Sequence, residues 1–183
     1  MTVKDVITTV ADMVGVGECV KNYLDGDRTQ GGAETTALLR CFNFIQNEVA
    51  LDYLPLVAED NLVSETGKVE YSALSRAAVR VLSVKNANEE NLKYKLFPDF
   101  LQTQSGEITI KYTYTPIEKA LSDVAEFNLS VSLRLVSYGV AAEYCFSVGL
   151  YEEGEAWNKK YKDALASVYS IRPAKIMRSR RWV

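Results

Sequence analysis

Apolar residues in the first fifty positions recur with helical spacing. Leu38, Cys41, Phe42, Ile45 and Val49 follow Glu34 at steps of three and four, the buried stripe of an amphipathic helix. Upstream, Val6, Val10 and Met13 share a face with Ile7 and Val14. Thr2-Val3-Lys4-Asp5 has the form of an N-cap with an acid at the third helical position, whose carboxylate can reach back to the cap amide. Gly15-Val16-Gly17 punctuates the chain, and Cys19-Val20-Tyr23-Leu24, ending in Asp25-Gly26-Asp27, completes a helical hairpin.

Beyond Pro55 the period changes to two, as in strands. Val69 and Tyr71 alternate with Lys68 and Glu70, Leu82 and Val84 sit in a β-branched run from Val79, and Leu92, Tyr94 and Leu96 alternate with Lys93 and Lys95. The clearest strand runs from Glu107 to Thr115, with Ile108, Ile110, Tyr112 and Tyr114 on one face and Thr109, Lys111 and Thr113 on the other. Asn86-Ala87-Asn88 and Ser105-Gly106 supply turns. After Pro116 the helical period returns. Ser130 to Leu150 is apolar nearly all round, with Ser130, Arg134, Ser137 and Ser147 as a narrow polar strip, and so predicts a central helix packed on several sides. A second helix follows Gly149 and Glu152-Glu153, with Trp157, Tyr161, Ala164, Leu165 and Val168 opposite Lys159, Lys160 and Asp163, until Pro173 stops it.

The pattern predicts an α+β fold: a bundle of about four to five helices, an inserted antiparallel β meander or small sheet, and an extended C-terminal tail. Residues 1–171 are expected to form a single domain, with helices in 1–51 and 117–170 and the β insertion in 52–116. Residues 172–183 hold too few apolar groups to bury themselves and are expected to be extended and mobile.

Composition narrows the chemistry. The chain has no histidine, which removes the commonest general base, the commonest metal ligand and every Ser-His or Cys-His pair; an enzyme is not expected. Cys19, Cys41 and Cys145 are odd in number, far apart and flanked by apolar residues, as reduced core thiols are. Arg134 and Glu143 interrupt the most hydrophobic segment, so no membrane span is expected, and the first residues lack the pattern of an export signal. No cofactor or metal is expected. Asp25-x-Asp27-x-Thr29 begins like a calcium loop, but Gln30 stands where a glycine is needed and Thr36 where a glutamate is, so it reads as a turn. Gly15-x-Gly17 and Gly31-Gly32 lack the following Lys-Ser/Thr of a phosphate loop. The pairs Glu89-Glu90 and Glu152-Glu153 read as solvated charge, because sequence neighbours point apart. Tyr112 and Tyr114, with Lys111 beside them, resemble a base-stacking platform, yet they share the face of Ile108 and Ile110 and read as core.

The net charge of −3 conceals an asymmetry. Arg172, Lys175, Arg178, Arg180 and Arg181 face no acid in their segment, which leaves 16 of the 21 basic residues against all 24 acids in the preceding body. Arg172, Pro173, Lys175, Ile176, Met177, Arg178, Arg180, Arg181 and Trp182 therefore form the candidate partner-binding site, since Trp and Arg dominate interface hot spots. A solvated basic end and phosphate contact with nucleic acid are the competing readings; docking in a groove of a partner, by strand addition or otherwise, is the preferred one.

The layout resembles the head–tail connector, or neck adaptor, proteins of tailed bacteriophages. The resemblance rests on five features: the helix start at Gly31 to Thr35, the β insertion ending in Ile108 to Pro116, the apolar helix with Ala142-Glu143-Tyr144-Cys145, the helix with Trp157 to Tyr161, and the ending Arg180-Arg181-Trp182. It implies a virion neck protein made in the host cytoplasm. It also implies a ring of about a dozen copies, a portal protein that receives the C-terminal segment, a tail or neck protein below, and a channel through which DNA passes without specific binding. The acidic body and detached basic tail fit those roles. An alternative of a different class is a nucleic-acid-binding accessory protein that uses the basic tail.

Overall fold

A computed structural model describes residues 1–27 and 29–170. The candidate site in residues 172–183, Pro173 as a helix stop and the expected mobility of the tail all lie outside the described residues.

The first helix, α1 (Val3–Met13), starts where the capping pattern places it: the Asp5 amide donates to Thr2 Oγ1 at 3.1 Å and the Thr2 amide donates to Asp5 Oδ2 at 3.0 Å. Next come α2 (Gly17–Leu24) and α3 (Gly32–Glu48). Gly31 opens α3 at φ +84°, and a Cβ there would strike the Cys19 carbonyl, so only glycine lets the two helices meet. The predicted stripe Leu38, Cys41, Phe42, Ile45 and Val49 is buried throughout. A π turn at Val49–Tyr53 ends this half, and strands begin directly after Pro55.

Six strands follow: β1 (Leu56–Ser64), β2 (Lys68–Glu70), β3 (Ala78–Asn86), β4 (Lys95–Leu96), β5 (Phe100–Gln102) and β6 (Gly106–Tyr114). All pair antiparallel, but not as a meander. The last strand lies between the first and third in one sheet, order β1-β6-β3, and β2-β5-β4 form a second. Long-range pairing wins because β6 has the strongest alternation: Ile108, Ile110 and Tyr112 are all buried, and the central position covers both of its edges. Tyr112 is 0% exposed, and its hydroxyl donates to Asp60 Oδ2 at 2.7 Å. The even alternation expected in β3 fails. Register shifts between Ala78 and Arg80 and between Val81 and Ser83 put Val81 and Val84 in the core and leave Leu82 44% exposed. Around Leu92 and Tyr94 only an Asn91–Lys85 bridge and the two residues of β4 are regular, and Leu96 is exposed.

Residues 115–132, expected to return to helix at once, instead cross the bundle as an irregular strap. Its backbone is satisfied by amides of α3. Asn43 Nδ2 donates to the Lys119 carbonyl at 3.0 Å and its Oδ1 accepts from the Lys119 amide at 2.8 Å. Gln46 Nε2 donates to the Ile117 carbonyl at 3.3 Å, and its Oε1 accepts from the Glu126 amide at 3.0 Å. Phe127 packs edge-on against Phe42, and Thr2 and Val3 bond to the strap at Val124 and Asp123. Helix formation would forfeit these bonds, made by residues more than seventy positions away.

The central helix, α4 (Leu133–Ser147), is shorter than the expected Ser130–Leu150, with Ser132 as its side-chain cap. It is the spine of the helical core: Leu135, Val136, Val140, Ala141 and Tyr144 pack against α1, α3 and α5 (Tyr151–Ser170). Ser137, assigned to the polar strip, is 1% exposed. Gly139 allows close approach, since a Cβ there would lie 2.9 Å from Tyr161 Cε2. The α5 stripe is as expected, with Tyr161 and Leu165 buried and Trp157, Ala164 and Val168 half-buried.

Glu126 joins the strap to the sheet. Its carboxylate lies 3.0 Å from Lys119 Nζ and 3.6 Å from the Arg76 guanidinium, and accepts the Tyr114 hydroxyl at 2.8 Å. Burial opposes its ionisation, but the hydrogen bonds from Lys119 and Tyr114 and the charges of Lys119 and Arg76 outweigh burial and hold the carboxyl below its ordinary 4.5. A depressed carboxylate contributes stability that is complete above the unfolded-state value and is lost as pH falls through the folded one. Urea unfolding should therefore show the wild type losing stability as pH drops below about 4.5, and Glu126→Gln should flatten that slope while lowering stability at neutral pH. Gln46→Leu, which strands the Ile117 carbonyl and the Glu126 amide, should cost about 2–4 kcal/mol in the same measurement.

Candidate docking surface

Two helices build the most chemically distinctive exposed surface of the described residues. Arg134 and Tyr138 stand one turn apart on α4, and Trp157 and Lys160 one turn apart on α5. The Tyr138 and Trp157 rings stack at 5.7 Å between centroids. Lys160 Nζ lies 4.0 Å above the Trp157 ring and 5.8 Å from that of Tyr138. The Arg134 guanidinium sits 5.4 Å from the Tyr138 ring, and its Nε donates to the Tyr138 hydroxyl at 2.7 Å. A shallow groove of about 550 Å3 runs beside these groups, lined also by Thr9, Met13, Leu133 and Ser137. The buried Ser137 hydroxyl has no hydrogen-bond partner among the described residues.

Physically this is a cationic ledge on an aromatic floor. Contact with a π face holds each cation in place while leaving its outer side to solvent, so little side-chain freedom remains to be lost when a carboxylate arrives. Neither Arg134 nor Lys160 is in an ion pair among the described residues. The expectation that Lys160 lies opposite Trp157 is thus corrected: three residues apart on a helix are neighbours, and that spacing was the available signal. Arg134 was placed correctly on the polar strip of α4, but its aromatic partners come from tertiary packing.

On the far side of α4 the exposed surface is mainly apolar. Phe44 is 56% and Tyr151 68% exposed, and Val148 and Leu150 are also exposed. Glu143, half-buried, and Arg40 lie beside Phe44 and Val148. Nine residues separate Arg134 from Glu143, about two and a half turns, so the two faces point in opposite directions.

The remaining sequence candidates are local features. The Thr29 amide and hydroxyl both donate to Asp27 Oδ1, at 3.1 and 2.7 Å, so this carboxylate closes a turn. Glu89 and Glu90 are exposed, and the Asn86 amide group donates to Glu90. All three cysteines are unpaired; Cys41 and Cys145 are buried and Cys19 half-buried. Burial, with the Glu143 charge behind it, pushes the Cys41 thiol up to about 11, and burial raises that of Cys145, so both stay protonated at neutral pH. Among the described residues no three Cys, Asp or Glu side chains gather as a metal site, and no helix is long and apolar enough to cross a membrane.

No protein-family model matches the chain, and no curated protein matches it in sequence.

Tyr161, in the packing beneath the aromatic floor, also has a buried hydroxyl with no partner among the described residues. Burial, reinforced by Glu48, pushes its phenol far above the ordinary value, so it stays neutral. Tyr161→Phe removes this unsatisfied group and keeps the ring. Thermal unfolding should show a variant at least as stable as the wild type, by up to about 1–3 kcal/mol; a clear loss would mean that the hydroxyl is bonded in solution.

Proposed function

We propose that this protein is a structural assembly subunit, a head–tail connector of a tailed bacteriophage. The observation that carries this reading is the pair of exposed faces on opposite sides of α4, one cationic and aromatic, the other apolar with Glu143 and Arg40 beside it. A subunit held between two neighbours needs an adhesive surface on each side. In this reading copies form a ring of about a dozen below the portal protein, residues 172–183 dock on the portal with Trp182 as the leading anchor, and a tail or neck protein binds beneath. DNA crosses the channel without specific binding. The acidic balance of the body supports this last role, because like charge lets a polyanion slide without sticking.

The basic tail also fits a nucleic-acid-binding accessory role, and one experiment separates the two. Full-length protein and a form lacking residues 172–183 are offered to purified portal-bearing heads of the source phage in moderate salt, and to double-stranded DNA across a salt series. The connector reading expects the full-length protein to bind heads and the truncated form to fail while keeping its circular dichroism spectrum. Tail-dependent DNA binding that collapses by about a thousandfold or more between low and moderate salt, without head binding, would favour the accessory reading. If neither form binds heads, the connector reading fails.

A further inference from the structure

We infer that in the free protein the chain's own C-terminal segment, Ile176 to Trp182, adds as a parallel strand to the open edge of β1. The contact goes beyond the connector reading and does not depend on it.

Backbone satisfaction picks out the edge. β1 pairs with β6 through nine consecutive residues with no register shift, and among the described residues no other backbone–backbone hydrogen bond involves Leu56–Ser64. Successive residues of an antiparallel ladder aim their N–H and C=O groups to alternate sides, so about half of those in β1 face outward without a partner from the described residues. The opposite edge of the sheet is managed differently. β3 carries two register shifts, and its Val84 carbonyl accepts the Leu92 amide at 2.8 Å. β1 has no lysine, proline or bulge to discourage an added strand.

The helical bundle delivers the C-terminal segment to this strand, because α3 and α5 both run antiparallel to α4. Cys41 and Phe44 of α3 lie beside Glu143 and Ser147, and Ile45 faces Gly139. On α5, Gly154 faces Phe146, Tyr161 faces Gly139, and Val168 lies near Ser132 and Leu135. Ile45 and Tyr161 thus stand at one level. From there α3 and its π turn continue for eight residues to Tyr53, and α5 for nine to Ser170, advances of roughly 12 and 14 Å. Both end at the same pole of the bundle, where β1 leaves one end and the C-terminal segment the other. Residues 171–175, at about 3.3 Å each, reach from there to bring Ile176 alongside Val57, and the two chains then run in the same direction.

Side chains match in that register. Val57, Glu59, Asn61 and Val63 share the outer face of β1, where Val57 is 47% and Val63 73% exposed. In an extended segment Ile176, Arg178, Arg180 and Trp182 also share one face. Parallel pairing sets Ile176 beside Val57, Arg178 beside Glu59, Arg180 beside Asn61 and Trp182 over Val63. The charges agree: Glu59, Asp60 and Glu107, which pairs with Val63, outnumber Lys111, which lies 3.9 Å from Glu59. The reverse orientation would start Ile176 at Val63, at the far end of β1 and beyond the reach of residues 171–175. While held on β1 the segment is unavailable to any partner, so its docking elsewhere requires release.

Hydrogen exchange on the free, full-length protein tests the contact. The outward-facing amides of Leu56–Ser64 should exchange at least about tenfold more slowly in the wild type than in an Arg178→Glu/Trp182→Ala variant, with the amides bonded to β6 unchanged. Glu59→Arg alone should speed exchange about threefold or more, and adding Arg178→Glu to it should restore slow exchange, because the pair is then rebuilt with its signs reversed. Misfolding cannot produce that recovery. Equal rates in the wild type and the C-terminal variant, a double reversal no slower than Glu59→Arg, or protection that rises with protein concentration, and so comes from another copy, would each overturn the inference. The connector reading is judged separately by binding to portal-bearing heads, so either can fail while the other stands.

Discussion

Two amide side chains on one helix hold the fold together. Asn43 and Gln46 are almost fully buried on α3, and between them they satisfy backbone groups of Ile117, Lys119 and Glu126 in the strap. A buried amide left unpaired costs about 1–3 kcal/mol, more than a hydrogen bond returns on net. The strap therefore has one low-energy path across the bundle, and α4 starts where that path delivers it. The β insertion leaves the bundle after α3 and returns through the strap, with Glu126 bonding to Tyr114 at the end of β6 and pairing with Arg76 just before β3.

The position of α4 in turn decides the surface. Most of its apolar residues are taken up by α1, α3 and α5, which leaves Leu133, Arg134 and Tyr138 toward one side and Glu143 and Ser147 toward the other. Gly139 lets Tyr161 of α5 approach closely, and Trp157, one turn earlier on α5, comes to rest on Tyr138. The opposed faces on which the proposed assembly rests are thus a consequence of close helix packing. A change in how the strap delivers α4 would move all of them together.

The amino-acid pattern by itself determined most of the local structure. The capping box at Thr2 and Asp5, the stripe of α3, the strand onset after Pro55, the alternation of β6 and the stripe of α5 each depend on side chains within a turn or two of one another, and such interactions are written in spacing. The α+β class followed from the same signals. Tertiary structure alone decided the order β1-β6-β3, the bulges that turn Leu82 outward, the irregular strap where helix was expected, and the burial of Ser137. The candidate surface belongs to this second group, since Arg134 and Tyr138 meet Trp157 and Lys160 only when α5 folds back on α4. The physical reason is common to all of these cases. A hydrophobic period states which face of an element seeks cover, whereas which partner supplies the cover depends on hydrogen bonds and close approaches between residues far apart in the chain.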